Sequence, residues 1–88
     1  MGTELNQAFG EVIRELRHDR DLSQEALSFA CGRHRTYVSL LERGRNSPSL
    51  DTLWTIAEAL GVMPSEIVDR VEHRLVQIRR RRSSHRSV

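Results

Sequence analysis

Glycines at 32, 44 and 61 divide this chain into segments that can hold only short helices. Each follows a stretch with apolar residues at helical spacing, and each can turn the backbone out of a helix without steric cost. Phe9, Val12, Ile13 and Leu16 fall at i, i+3, i+4 and i+7, which predicts a first helix ending near Asp19. Ser23 is a good N-cap for a second, carrying Ala26, Leu27, Ala30 and Cys31 up to Gly32. The third runs from about Arg35 to Arg43. Ser49 caps a fourth, with Leu50, Leu53, Ile56, Ala57 and Leu60 as its stripe and Gly61 at its end. Pro64 opens a fifth, where Glu66 favours the positive helix end and Ile67, Val68, Val71, Leu75 and Ile78 follow. Alternation typical of a strand is nowhere sustained. The expected fold is a compact all-α, five-helix domain over residues 1–78, with "RRRRSSHRSV" (79–88) a basic, solvated and disordered tail.

Eighty-eight residues leave no room for a separate sensor or catalytic module. A chain this size buries only about 60–65% of its unfolded surface, so a partner subunit would help. No apolar run approaches the ~18 residues of a membrane span, and Met1 to Leu22 lacks the apolar stretch of a signal peptide. The single Cys31 excludes an internal disulfide and fits a reducing compartment, so the expected location is cytoplasmic. The net charge of +2 is segregated. Residues 1–32 carry three Arg against six acids, and 46–78 carry two against five. Between them, 33–45 carry four Arg against Glu42 alone, and 79–88 carry five Arg and no acid. A basic island between acidic segments is a localised positive surface. Every basic residue is Arg, the side chain suited to bidentate pairing with guanine edges and phosphates.

Turned at 100° per residue, the third helix points Val38 and Leu41 inward, with Tyr37 beside them and Glu42 on the opposite margin. Thr36, Ser39, Leu40 and Arg43 point outward, and Arg35 projects from the N-terminal end. Such a face fits a major groove: Arg takes guanine N7 and O6, Thr and Ser donate or accept, and Leu or Thr methyls touch thymine. Its N-terminal residues would reach deepest.

Residues 22–44, "LSQEALSFACGRHRTYVSLLERG", resemble the Cro/repressor-type (XRE) helix-turn-helix family. The resemblance extends through "RELRHDRDLSQ" and "RNSPSLDTLWTIAEALGV" to cover about residues 9–62, and "HRTYVSLLERG" is similar to the recognition helix of restriction–modification controller proteins. It implies a repressor-type fold and a homodimeric transcriptional regulator on a palindromic operator in double-stranded DNA, with no cofactor and no small-molecule effector. It also implies base contacts for Arg35, Thr36, Ser39 and Leu40. Gln24 falls where a scaffold-helix residue touches phosphate; Arg43, Arg45 and Asn46 fall where the next loop meets the backbone. Arg33, His34 and Tyr37, around the turn, join these as backbone contacts. Arg17 and Glu42 match a pair that resembles the family's buried ion pair between helices one and three.

Three positions depart from the pattern. Ser28 replaces a small apolar residue, tolerable if its hydroxyl bonds back to its own helix. Arg33 occupies a turn position that is commonly apolar. His34 replaces the usual Ser or Thr cap, a loss of ~1 kcal/mol unless the imidazole accepts that bond.

Cys31 and His34 straddle the glycine turn without a second ligand pair, so no metal site is expected, and Cys31 reads as a small core residue. No grouping suggests catalysis. Trp54 reads as core or core-edge packing beside Leu50, and Phe29 as an outer position. Val68, Val71, Leu75 and Ile78 follow a 3-4-3 spacing and read as a dimer seam, with packing against helix one as the alternative. Two other functions stay open: a protein-interaction module of antitoxin-like or coactivator-like kind, and a nonspecific nucleic-acid binder using the Arg tail.

Overall fold

Thr3 opens the first helix: its Oγ1 accepts the Asn6 N–H at 3.0 Å, satisfying an amide left free at a helix start. The computed structural model describes residues 3–86, with side chains through Arg82. Five helices follow in order: α1 Glu4–Asp19, α2 Gln24–Ala30, α3 Tyr37–Glu42, α4 Leu50–Leu60 and α5 Pro64–Arg86. Ser23 and Ser49 cap α2 and α4 by accepting the amides of Ala26 and Thr52. Among the described residues there is no strand. No described helix is long and apolar enough to cross a membrane.

The inward stripes meet in one core. Val12, Ile13 and Leu16 of α1, Leu27 of α2, and Val38 and Leu41 of α3 are buried there. Ile56, Ala57 and Leu60 come from α4, and Ile67, Val71 and Ile78 from α5. Helices α1 and α5 run antiparallel, pinned at one end by Arg74 on Glu11 (2.9 Å) and Glu15, and at the other by Arg82 on Glu4 (2.7 Å). The Glu15 and Glu11 carboxylates hold the Arg74 guanidinium above its ordinary pKa.

On its other side α1 packs against α3 through Gly10, which is buried. A Cβ at Gly10 would collide with the Leu41 carbonyl oxygen and stand 2.7 Å from that of Glu42. The missing side chain is therefore what allows the two backbones to touch. Gly44, at φ +73°, lies just beyond α3 and against the Gln7 backbone.

Four expectations need correction. First, α3 is shorter than Arg35–Arg43, because the chain from 33 to 36 is a turn and Thr36 makes no side-chain cap bond. Second, α5 does not stop at 78. Nothing from 79 to 86 breaks a helix, Arg is a good helix former, and Arg79 and Arg82 find a carboxylate on α1. Residues 87 and 88 of the expected tail lie outside the described residues.

Third, three of the four seam positions are covered within one chain. Val71 and Ile78 are 7% and 3% exposed, and Leu75 packs against the same core. A coiled-coil seam and the inner face of an amphipathic helix share one spacing, and the chain's own α1 occupies it. Only Val68 is open. Fourth, Trp54 and Leu50 are not core: they form an i, i+4 row on the outer margin of α4, at 56% and 70% exposure.

Candidate nucleic-acid interface

A helix of six residues cannot hold itself, so the position of α3 depends on what grips its ends. Its N-terminus is gripped from α2. The buried Ser28 hydroxyl donates to Gln24 O (2.8 Å), its own helix, and lies 3.3 Å from Arg35 O in the turn. The same oxygen accepts the Val38 N–H at 3.0 Å. Ser28 is thus the missing cap, supplied from ten residues upstream rather than by the residue before the helix. His34 makes the local contribution, its Nδ1 accepting the Thr36 N–H at 3.3 Å. Ser28→Ala should cost about 1–3 kcal/mol, because it strands the buried Val38 amide. Chemical denaturation would measure it, and an unchanged midpoint would show that water replaces the hydroxyl.

The C-terminus is gripped by two glycine-turn bonds, Gly44 N–H to Leu41 O and Arg45 N–H to Leu40 O, both 3.0 Å. Glu42 supplies the tie to α1. Its carboxylate receives Arg17 Nε at 2.6 Å and Nη2 at 3.1 Å, and Gln24 Nε2 at 2.9 Å. Arg17 Nη1 donates to Leu22 O at 2.8 Å, just before α2 begins. One buried charged cluster therefore fixes helices α1, α2 and α3 together.

That cluster sets the electrostatics outside. Glu42 is the single acid among residues 33–45, and it is buried on Arg17, so the outer surface keeps four arginines with no carboxylate among them. Arg35 and Thr36 are exposed at the start of α3, Ser39 and Leu40 half-buried along it, and Arg43 exposed at its end. Arg45 is exposed and Asn46 half-buried in the following loop. These seven lie along α3 and its flanks, as sequence places them. Arg33 lies over the Tyr37 ring, 4.7 Å from its centroid, and reaches Thr52 of α4 at 3.4 Å. It takes the place of an apolar turn residue by stacking. Gln24 is the departure: its side chain turns in to Glu42, which leaves its second amide hydrogen for an outside partner.

Two contributors were missed by sequence reasoning. Ser28 was read as bonding only to its own helix, and nothing in a sequence reveals an acceptor role across a turn. Gly10 had a readable signal, a glycine inside an otherwise well-formed helical pattern. Among the described residues no group of His, Cys, Asp and Glu could hold a metal ion. Cys31 is half-buried against the core, and that burial pushes its thiol pKa up, the reverse of a reactive thiolate.

Comparison with known proteins agrees with this geometry. A helix-turn-helix family profile matches residues 13–67. The control protein C.BamHI of Bacillus amyloliquefaciens is 41% identical over 70 residues, covering 78% of this chain and 86% of its own. Among solved structures, the restriction–modification controller protein C.AhdI from Aeromonas hydrophila is 42% identical with a TM-score of 0.67, over 70% of this chain and 94% of that one. The clp gene regulator ClgR from Corynebacterium glutamicum superposes with a TM-score of 0.87 at 26% identity, over 93% of this chain and 87% of that one. These relatives are regulators and controllers, not enzymes. With its profile match, its gripped short helix and its unopposed arginines, the chain belongs to the Cro/repressor-type helix-turn-helix family of DNA-binding transcriptional regulators, with restriction–modification control proteins among its relatives.

Proposed function

We propose that this protein is a sequence-specific regulator that binds a palindromic operator as a homodimer, with residues 35–43 of each copy in the major groove. The observation that carries the reading is the outer surface of α3 and its flanks, where Arg33, Arg35, Arg43 and Arg45 are exposed while the one acid, Glu42, is buried on Arg17. Arg35, Thr36, Ser39 and Leu40 read base edges. Gln24, Arg33, His34, Tyr37, Arg43, Arg45 and Asn46 hold phosphates and set the register. Selection of bound duplexes from a random pool tests this directly, since it returns the site and its symmetry together. Arg35→Ala should then cost about 1–3 kcal/mol in binding and relax preference at one base position per half-site. A uniform loss on all sequences would make Arg35 a phosphate contact, and a pool with no enriched site would remove the reading.

One α3 reaches too few base pairs to find a single genomic site, whereas a pair separated by ~34 Å doubles the readout. Since α5's inner face is covered, the dimer surface moves to the apolar groove of about 310 Å³ lined by Leu5, Phe9, Pro48, Leu53 and Val68. Leu5 and Val68 are exposed on it, and the neighbouring turn of α4 presents Leu50 and Trp54. Leu5→Glu with Val68→Glu should give a folded monomer with weakened operator binding, read by sedimentation and circular dichroism. A double variant that stays dimeric would move the interface elsewhere.

A further inference from the structure

Past Ile78, α5 has no apolar residue left to bury, yet the helix runs on to Arg86. It carries Arg79, Arg80, Arg81 and Arg82 in succession, all exposed. Arg79 and Arg82 converge on one carboxylate, that of Glu4, at 3.5 and 2.7 Å. Arg81 comes within 4.0 Å of Glu11, which Arg74 already holds at 2.9 Å. Arg80 makes no ion pair among the described residues. Four guanidinium groups thus share little negative charge.

The placement of Glu4 gives this surplus a direction. Glu4 begins α1, and the same first turns of α1 carry the basic loop that follows α3. A Cβ at Gly44 would stand 3.3 Å from Gln7 Cα, and the Ser47 hydroxyl donates to Asn6 Oδ1 at 2.5 Å. Gln7 is three residues from Glu4, about 4.5 Å along the helix. The loop carrying Arg43 and Arg45 and the α5 end carrying Arg79 and Arg82 therefore both border the N-terminal turns of α1.

We propose that the arginine end of α5, Arg79 to Arg82, is a second phosphate-binding element that grips duplex backbone flanking the site read by α3, with Glu4 standing in for a phosphate in the free protein. Arginine pairs bidentately with phosphate, and a duplex offers one negative charge per ~1.7 Å of axis. Exposed ion pairs such as Arg82–Glu4 contribute little to stability, so they exchange readily for phosphates. The element adds affinity without sequence preference. It rests on the DNA-binding reading above.

The test uses the full chain with Arg79→Gln, Arg80→Gln, Arg81→Gln and Arg82→Gln together, since glutamine preserves helix propensity. Binding is titrated against salt on the selected site, with and without flanking duplex. On flanked duplex the slope of log affinity against log salt should fall by about 0.9 for each phosphate lost, with base preference unchanged. On the bare site the variant should match the wild type. Glu4→Gln should tighten binding at low salt, and that gain should vanish when Arg79 and Arg82 are replaced as well. A wild-type slope for the fourfold variant on flanked duplex would overturn the proposal, as would an equal loss on both duplexes. A Glu4→Gln gain that persists without Arg79 and Arg82 would overturn the role of Glu4. Failure here with an intact selected site sinks only this element, whereas a wild type that binds no duplex sinks both readings.

Discussion

Glu42→Ala is expected to lower the unfolding free energy by about 3–5 kcal/mol, much of what a domain of this size has. The carboxylate accepts Arg17 twice and Gln24 once, and the Arg17 and Glu42 side chains are 10% and 3% exposed. Removing the acid leaves a guanidinium in the interior with only Leu22 O and His18 as neighbours able to bond it. Arg17→Met alone should cost a similar amount, by stranding the carboxylate. The double variant Arg17→Met with Glu42→Leu should recover most of the loss, because two apolar groups of similar shape need no compensation. Urea unfolding of the four proteins gives the coupling, and strictly additive losses would show that the two charges do not support each other. DNA binding need not recover with stability. The pair sets where α3 stands, and an apolar pair can restore the core while letting the helix turn.

Gly10→Ala should also destabilise the fold, against the usual direction of that substitution. Alanine in a helix interior is favoured by about 1 kcal/mol. Here the new methyl would meet the Leu41 and Glu42 carbonyl oxygens, which are backbone and cannot swing aside. Overpacking costs about 1–3 kcal/mol and occasionally more, and a clash with fixed backbone puts this site at the upper end, so after the propensity gain the net loss should be roughly 2 kcal/mol. The relief available is to move α3 away from α1, which would also loosen Arg17–Glu42. A thermal midpoint equal to or above the wild type would mean that the helices can separate at no cost.

The sequence made the framework legible where the physics is local. Ser23 and Ser49 cap the helices they were expected to cap, and Gly44 and Gly61 end helices with positive φ. Val38 and Leu41 face inward because 100° per residue leaves no choice, and Arg35 is exposed in the turn before α3. Failures came where two structures share one pattern. The spacing of Val71, Leu75 and Ile78 serves a partner helix or α1 equally well, and only the fold decides. Leu50 satisfies the stripe of α4 on a wheel, but it stands at the helix start, beyond the reach of the core. The second role of Ser28 was illegible for another reason: the Val38 amide that it accepts lies in α3, brought near only by folding.

The antiparallel pairing of α1 with α5 also has a consequence in time. During synthesis α1 is made before α5, so its buried face, which packs against α5, is covered only once α5 has emerged. Helices α2 and α3 are made early and lie close in sequence, yet α3 is anchored to α1, whose other side is still bare. A nascent chain therefore holds α2 and α3 on an unfinished support. Contacts as distant as Glu4 with Arg82 close the structure last, and such non-local closure is slow relative to helix formation. The protein should gain its regulatory competence in one step, once α5 has been made, rather than by degrees as the preceding helices appear.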